Sequence, residues 1–510
     1  MYKVRVLQEI DDRLDAEYYN PAALSTLKKM ETKGTVTTFG NLVDEGYRVV
    51  YHGTDSINGL KDSDLLPFLS PTQIDANGSI SFEDADKLPL YYKERYPKGL
   101  GKAGEILVEV KGNVSKVGIV PSAFPKNLMI SGSLYKATLD PKRVDSHYVL
   151  AFLKSQHGQI LKNRLTSNTI INYIAKDALY SIPVIEFKEK AQKYIGDKVR
   201  QAEQLRSWAK LLRTSVDDHL NSLNLPINEP PALLNRVSAQ TMEDRLDPRP
   251  YRTHYLCLVH EIEKLPHDSI SALVELASGC PVSSNDFLEN SGIPLVRIRN
   301  IGFDDFIGLD TGVSQDVYQD ATKYQAKDKM IVVGMDGIFR SQFFISDELP
   351  MLVNQRVAML SPQNIRGELL THWLNRPEGQ MQLNQWAVKT TVEHTSLSDI
   401  GRVLIPRLDK SLENKLADYL LNARLAYRYA KFLTQVAKTL VEALIEGQLT
   451  EQQLIQAQQA LEDGDNSLDQ AILSKLSAEG YAIEGTTPLF SDVDELYRLL
   501  EDAAQDEAEE

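Results

Sequence analysis

The chain has 510 residues, 25% of them charged and 42% hydrophobic, which is the balance of an ordinary folded protein and length enough for about three domains. A net charge of −15 would argue against a nucleic-acid binder if it were spread evenly, but residues 447–510 hold 16 Asp or Glu against Lys475 and Arg498, so the first 446 residues carry only −1 and are free to present a basic face. Two cysteines, Cys257 and Cys280, exclude a disulfide framework and a structural zinc site and make the reducing cytoplasm the expected compartment; no run reaches the ~20 apolar residues of a membrane span, and Met1–Ile10 lacks the apolar core of a signal peptide.

In chain order, residues 1–186 begin with an extended segment. A pair of apolar strands follows, Ile106–Val110 the clearest, then a short helix at His147–Gln156, a polar turn region and an Ile182-Pro183 exit. Pro183 disfavours helix at the residue before it and prepares the start of the next element. From Phe187 to Leu223 only Gly196 weakens a continuous helix, and apolar residues recur seven apart at Ile195, Ala202, Ala209, Val216 and Leu223. Leu205 and Leu212 form an interleaved row, interrupted at its ends by Lys198 and His219. Two such rows are a coiled-coil seam, which a lone helix cannot bury.

The first long helix is assigned to 187–224 and a Pro-rich linker to 225–240, with Asn224–Ala232 as the clearest boundary. A second globular segment occupies 241–408, with a strand at Met330–Met335, a helix at Glu368–Leu374 and an Ile405-Pro406 exit. The partner helix lies in 409–446, with rows at Leu412, Tyr419, Ala426, Leu433, Leu440 and at Leu416, Ala423, Ala430, Ala437, Leu444. The tail, 447–510, has amphipathic patches near Leu454–Leu461 and Val493–Leu500, and its acidic end has a composition that predicts disorder. The fold class expected is α+β: two duplicated domains of mixed sheet and helices, separated by two long antiparallel coiled-coil helices.

The duplication is read from six collinear matches. Asp12-Arg-Leu-Asp15 recurs as Asp244-Arg-Leu-Asp247. Leu66-Pro-Phe-Leu69 matches Ile293-Pro-Leu-Val296, and Ile106–Gly112 matches Met330–Gly337. Leu139-Asp-Pro141 matches Leu360-Ser-Pro362, Gly158-Gln159 matches Gly379-Gln380, and Ile182-Pro183 matches Ile405-Pro406. The offset drifts from 232 to between 221 and 227, as two copies with a few loop insertions require.

Catalytic motifs are sparse. Gly99-Leu-Gly101-Lys-Ala-Gly104 fits a dinucleotide turn only in spelling, since it precedes a strand instead of following one. Glu109-Val-Lys111 has the spacing of half a metal-dependent nuclease site, with Asp84 or Asp86 as the acidic ligand such a site also needs. The matching Val-Gly-Met-Asp of the second copy lacks the acid, and a solvated glutamate is the simpler reading. Asn228-Glu-Pro-Pro231 has the wrong order for an amino-methyltransferase motif, and the nine histidines show no ligand spacing. No catalytic residue and no metal site is assigned.

Polar and basic residues instead cluster at matched places. Lys111, Asn113, Ser115 and Lys116 follow the mid-domain strand in the first copy, and Arg340 and Gln342 in the second. Thr166, Ser167, Asn168, Thr169 and Asn172 precede the first exit strand; Lys389, Thr390, Thr391 and His394 precede the second. The second copy adds Arg297, Arg299 and Asn300, and then Asn354, Gln355 and Arg356. Such side chains bind phosphates and base edges, and different residues on one repeated scaffold are what two readers of different sequences need.

With these residues in view, the chain resembles the specificity (S) subunit of type I restriction–modification enzymes over roughly residues 1–446. The resemblance rests on Asp12–Pro21 (Asp-Arg-Leu-Asp-Ala-Glu-Tyr-Tyr-Asn-Pro), Gly104–Gly118, Pro294–Ile301, Thr390–Ile400 followed by Ile405-Pro406, and the two long helices. It implies that each globular segment is a target-recognition domain for one half of a bipartite double-stranded DNA site, with the long helices as a ruler. It also implies a non-catalytic subunit that binds no cofactor itself. S-adenosylmethionine would belong to two partner methyltransferase (M) subunits, and a translocating restriction (R) subunit can join them. A related phage-defence system would use the same parts. The acidic tail goes beyond the family pattern, as does Asp-Pro-Arg-Pro-Tyr (Asp247–Tyr251) against Asp-Ala-Glu-Tyr-Tyr (Asp15–Tyr19). The competing readings are a stand-alone Mg-dependent site-specific nuclease using Glu109 and Lys111, and a coiled-coil adaptor that binds only protein.

Overall fold

The computed structural model describes residues 16–51, 53–82, 85–166, 172–230, 232–242, 245–290, 292–389 and 391–509. The chain divides into two compact units, one of Met1–Ser207 with Tyr429–Glu510 and one of Trp208–Arg428. The two long helices are Glu189–Asn221, of 33 residues, and Lys410–Glu446, of 37.

In the first unit, helix Pro21–Lys33 starts with Asn20 accepting the Ala22 N–H and Pro21 at the first turn. Strand Thr35–Thr38 then pairs antiparallel with the exit strand Pro183–Glu186. The main sheet is antiparallel in the order Val43–Tyr47, Leu134–Leu139, Ile106–Glu109, Val117–Ile119. Its central strand Ile106–Glu109 is buried throughout, which is why it reads as an apolar run and not as an alternation. A smaller sheet orders Asp86–Pro89, Leu65–Leu69, Met129–Ile130, with the last pair parallel. Helix Ser146–Lys154 covers the main sheet beside Val117–Ile119, and Gln156–Asn163 turns back from it.

The second unit repeats this plan. Strand His267–Ser269 pairs with the exit strand Leu404–Pro406. The main sheet runs Val274–Ser278, Val357–Pro362, Ile331–Gly334, Ser341–Phe343, and the smaller one Leu288–Glu289, Thr311–Val313, Ile293–Val296, Leu352–Val353, again with one parallel pair. Helix Gly367–Asn375 packs beside Ser341–Phe343 and is followed by Pro377–Trp386. The offset between matched starts falls from 232 (Thr35 to His267) to 221 (Glu189 to Lys410), so insertions lie in the loops and the elements keep their order.

The repeated Gly-Gln pair has a physical cause. A Cβ on Gly158 would lie 2.0 Å from the Phe152 carbonyl oxygen, and one on Gly379 2.2 Å from that of Trp373, so each helix pair can close only over glycine. The next residue satisfies a carbonyl left free at the end of the preceding helix. Gln159 donates to Leu153 O at 2.6 Å, and Gln380 to Leu374 O at 2.7 Å. The helix expected at His147–Gln156 is found at Ser146–Lys154, and a second helix, Gln156–Asn163, follows a break at Ser155, whose hydroxyl accepts from Gly158 N.

The disorder expected at the acidic end is overturned. The tail forms helices Glu451–Glu462, Ser467–Leu473 and Val493–Glu509, all within the first unit. Leu496, Leu499 and Ala503 form a buried stripe that the surrounding carboxylates mask in any count of composition. Asp469 is buried and accepts both contacts of the buried Lys198 ammonium, at 2.7 and 2.9 Å, together with the hydroxyls of Tyr194 and Tyr497. Lys198, which breaks the apolar row of the first long helix, is thus the anchor of the tail. Phe490 packs its ring against Tyr429 and Phe432 of the second long helix.

Candidate nucleic-acid interface

In the first unit the hairpin loop between Ile106–Glu109 and Val117–Ile119 carries Lys111, Asn113, Ser115 and Lys116. Its backbone is held from beneath. Glu109, expected to be solvated, is instead buried, with its carboxylate accepting the backbone N–H of Asn113 at 3.1 Å, of Ser115 at 3.0 Å and of Lys116 at 3.1 Å. Gly112 and Val114 take positive φ of 120° and 56°, which wraps the loop around that carboxylate. The buried Lys162 ammonium donates to Val114 O and to Asn163 Oδ1. Burial pushes Lys162 down to about 8, Lys154 adds repulsion, and Glu109 opposes the shift. Lys111, Asn113 and Ser115 are exposed, and Lys116 is half-buried.

Strand Asn172–Tyr173 pairs with Lys111–Gly112, so the exposed Asn172 lies beside the same loop. Arg48 joins this edge, donating to Gly132 O at 2.6 Å and to Tyr173 Oη at 3.2 Å; nothing in its sequence context marks it. Thr166 is half-buried, and Ser167, Asn168 and Thr169 lie outside the described residues.

In the second unit the corresponding loop joins Ile331–Gly334 to Ser341–Phe343. Asp336 bridges to His394, at the place where Lys111 meets Tyr173 in the first unit. His394 Nδ1 donates to Asp336 Oδ1, and Arg356 Nη1 lies 3.4 Å from Oδ2. Lys389, Thr391, Gln355 and Arg356 are exposed; Thr390 lies outside the described residues. Arg249 reaches from the repeated Arg-Leu-Asp region to Asn384 O at 2.9 Å and Glu393 at 3.0 Å, bracing the hairpin that carries Lys389 and His394.

Other predicted residues are engaged by neighbouring groups of the second unit, some buried and some at its surface. Asn300 is buried, accepting from Arg297 N and donating to Ile307 O and Gly308 O. Gln342 is buried, donating to Phe303 O and accepting from Arg424 at 2.7 Å. The polar ends of both are spent inside the protein, which leaves neither available to a base edge. Arg340 lays its guanidinium over the Phe303 ring, 4.8 Å from the centroid. Arg297 and Arg299 both face Asp310, at 3.4 and 2.5 Å, and Asn354 accepts from Arg356 N.

For the nuclease reading, both Glu109 oxygens are committed to backbone amides, and among the described residues no three of His, Cys, Asp and Glu gather as a metal-binding group. A cavity of about 460 Å³ in the second unit is lined by Asp217, His372, Arg376 and Arg424, among others. Its cations close on protein carboxylates, Arg376 on Glu378 and Asp217, Arg424 on Glu348 and His372 on Asp217. Among the described residues no helix is long and apolar enough to cross a membrane.

Solved structures with which this chain shares similarity include a type I restriction–modification system S subunit from M. genitalium, 17% identical, covering 80% of this chain and 95% of that one with a TM-score of 0.43. The HsdS subunit from Thermoanaerobacter tengcongensis is 12% identical over 82% of this chain and 97% of that one, with a TM-score of 0.28. A chain from a structure on complex assembly and conformational transition of the type I R-M system is 11% identical over 82% and 98%, with a TM-score of 0.28. No family model and no curated protein matches the chain.

Proposed function

We propose that this chain is the DNA-reading specificity subunit of a type I restriction–modification, or related phage-defence, methyltransferase complex. The observation that carries this is the recurrence of one strand order in both units, with the same two loops of each copy set side by side but furnished with different residues. A duplicated enzyme keeps its reacting groups; a duplicated reader keeps its frame and varies what the frame presents. Lys111, Asn113, Ser115 and Asn172 are the base- and phosphate-facing groups of the first half-site, and Arg356, Lys389, Thr391 and His394 those of the second. The long helices set the gap between the half-sites. S-adenosylmethionine and the methyl transfer belong to two partner M subunits, and an R subunit, where present, adds translocation and cleavage.

The test is selection of duplexes from a randomised pool by the chain co-purified with its methyltransferase, paired with the methylome of the host. A bipartite motif is expected, with Lys111→Ala relaxing one half and Lys389→Ala the other. Absence of any sequence preference would leave the protein-only adaptor as the better reading. Cleavage by the chain alone with Mg²⁺, lost in Glu109→Ala, would replace the proposal with the nuclease.

A further inference from the structure

The loops of the second unit present something that phosphate binding does not explain. Ile338 is 63% exposed at the tip of the loop between Ile331–Gly334 and Ser341–Phe343. Gly337, at φ 75°, turns that loop against the neighbouring hairpin, where its N–H donates to Glu393 O at 2.8 Å. A Cβ on Gly337 would lie 3.8 Å from Val392 Cγ1. Val392 is 46% exposed and Val388 48%. Three branched aliphatic side chains therefore stand open on two adjoining loops. Exposed apolar residues scattered singly need no explanation, but a group of them on adjoining loops marks a contact surface.

Charge identifies the occupant. Around the tip stand Arg249, Arg356 and Lys389 against Asp336 and Glu393. Asp336 is turned to His394 and Arg356, and Glu393 to Arg249. Lys389 lies 3.9 Å from Glu393 and Arg356 3.4 Å from Asp336, but both cations keep exposed side chains, and three cations against two carboxylates leave the rim with a positive excess for a polyanion. An apolar tip with a cationic rim fits one feature of duplex DNA. Among the base edges of the major groove only thymine offers an apolar group, its 5-methyl, and phosphates flank it on both sides. In the first unit the equivalent of the Ile338 loop carries Lys111, Asn113 and Ser115, and no exposed large apolar side chain lies on it.

We propose that Ile338, with Val388 and Val392, reads thymine 5-methyl groups in the half-site bound by the second unit. This rests on the DNA-reading function proposed above and adds to it the class of base recognised. The test replaces each thymine of the selected motif in turn by deoxyuridine, which keeps the base pair and removes only the methyl. Binding by the full chain with its methyltransferase should weaken about four-fold per methyl contacted, at one or two positions confined to a single half-site. Ile338→Ser should lose the thymine preference at one of those positions. Because Ile338 is exposed, its unfolding midpoint should match that of the unaltered protein, which separates a lost contact from a lost fold.

If a bipartite motif is selected but no deoxyuridine affects binding, the thymine assignment falls and the DNA-reading function stands. Undiminished discrimination in both Ile338→Ser and Val392→Ser would also overturn it. So would loss of methyltransferase capture in Ile338→Ser with DNA preference intact, which would make the tip a protein contact. If no motif is selected at all, both proposals fall together.

Discussion

Glu109→Gln tests whether the first reading loop is built or merely flexible. The carboxylate accepts three backbone N–H groups, at 3.1, 3.0 and 3.1 Å, in a buried setting. Glutamine fits the same space but offers one oxygen. If that oxygen keeps Ser115 and Lys116, the new amide nitrogen faces the Asn113 N–H, donor against donor. One orphaned buried N–H costs about 1–3 kcal/mol, and the two surviving bonds weaken by about 1 kcal/mol as their acceptor loses its charge. The loop should therefore open roughly 30- to 700-fold more often, a cost of about 2–4 kcal/mol at 1.4 kcal/mol per decade.

Hydrogen exchange reads this directly. Protection of the Asn113, Ser115 and Lys116 amides should fall by that factor, while Leu107 and Val108 in the central strand keep theirs. In the binding assay one half-site should lose stringency and the other should not. Unchanged protection at the three amides would refute the reasoning, because it would mean the carboxylate does not hold the loop.

Three further outcomes follow from the same geometry. Asp469→Ala leaves the buried Lys198 ammonium without its counter-charge and should destabilise the first unit by about 3–5 kcal/mol, measured by urea unfolding; a change below about 1 kcal/mol would mean the tail is not anchored there. Lys154 is pushed down to about 8, first by burial and then by Lys438, with Asp75 opposing and Lys116 adding to the shift. Between about pH 8 and the ordinary value of 10.5 the unfolded chain holds the proton that the folded one has released, so this group makes stability rise with pH across that window. Lys154→Met should flatten the gain in urea midpoint between about pH 7 and about pH 9.5, and an unchanged slope would count against the assignment. Inserting seven residues into each long helix keeps the apolar rows in phase and adds ~10 Å, so the selected motif should keep both halves and widen its gap by about three base pairs; altered half-sites with an unchanged gap would contradict the spacer.

The features legible in the sequence were those the backbone dictates. Gly158 and Gly379 repeat because a helix pair closes to within 2.0 and 2.2 Å of where a side chain would begin, and each following Gln repeats because a carbonyl needs it. The central strands showed as apolar runs because both their faces are covered. What stayed hidden was set by partners distant in the chain. Glu109 looks like half a metal site until three amides of its own loop are found on it. Lys198 looks like a flaw in an apolar row until Asp469, 271 residues away, closes on it. The amphipathic patch at Val493–Leu500 was legible as helix, but its continuation to Glu509 was not, because the acidic run that follows masks Ala503, which extends the buried stripe of Leu496 and Leu499. Asn300 and Gln342 have the right chemistry for base recognition, but they spend it on carbonyl groups within the second unit.

The two loops are also braced by different means, and this bears on how such a scaffold changes what it reads. At the place of Glu109 the second copy has Gly334, the last residue of its central strand, and at the place of Lys162 it has the buried Leu383. Its own loop is held instead by Gly337 on Glu393 O and by Asp336 on His394, with Arg249 behind. A loop and its brace are thus one unit of exchange. Moving residues 110–116 into the place of 335–340 alone should give a loop with orphaned amides and no stringency. Adding Gly334→Glu and Leu383→Lys should restore amide protection, because the ammonium then finds the carbonyl it was built to meet. The same two substitutions without the loop would bury a carboxylate lacking its three amides and an ammonium lacking its carbonyl, and should destabilise the second unit. If the loop keeps its protection without the brace, its conformation is set by its own residues, and the frame contributes only a place to stand.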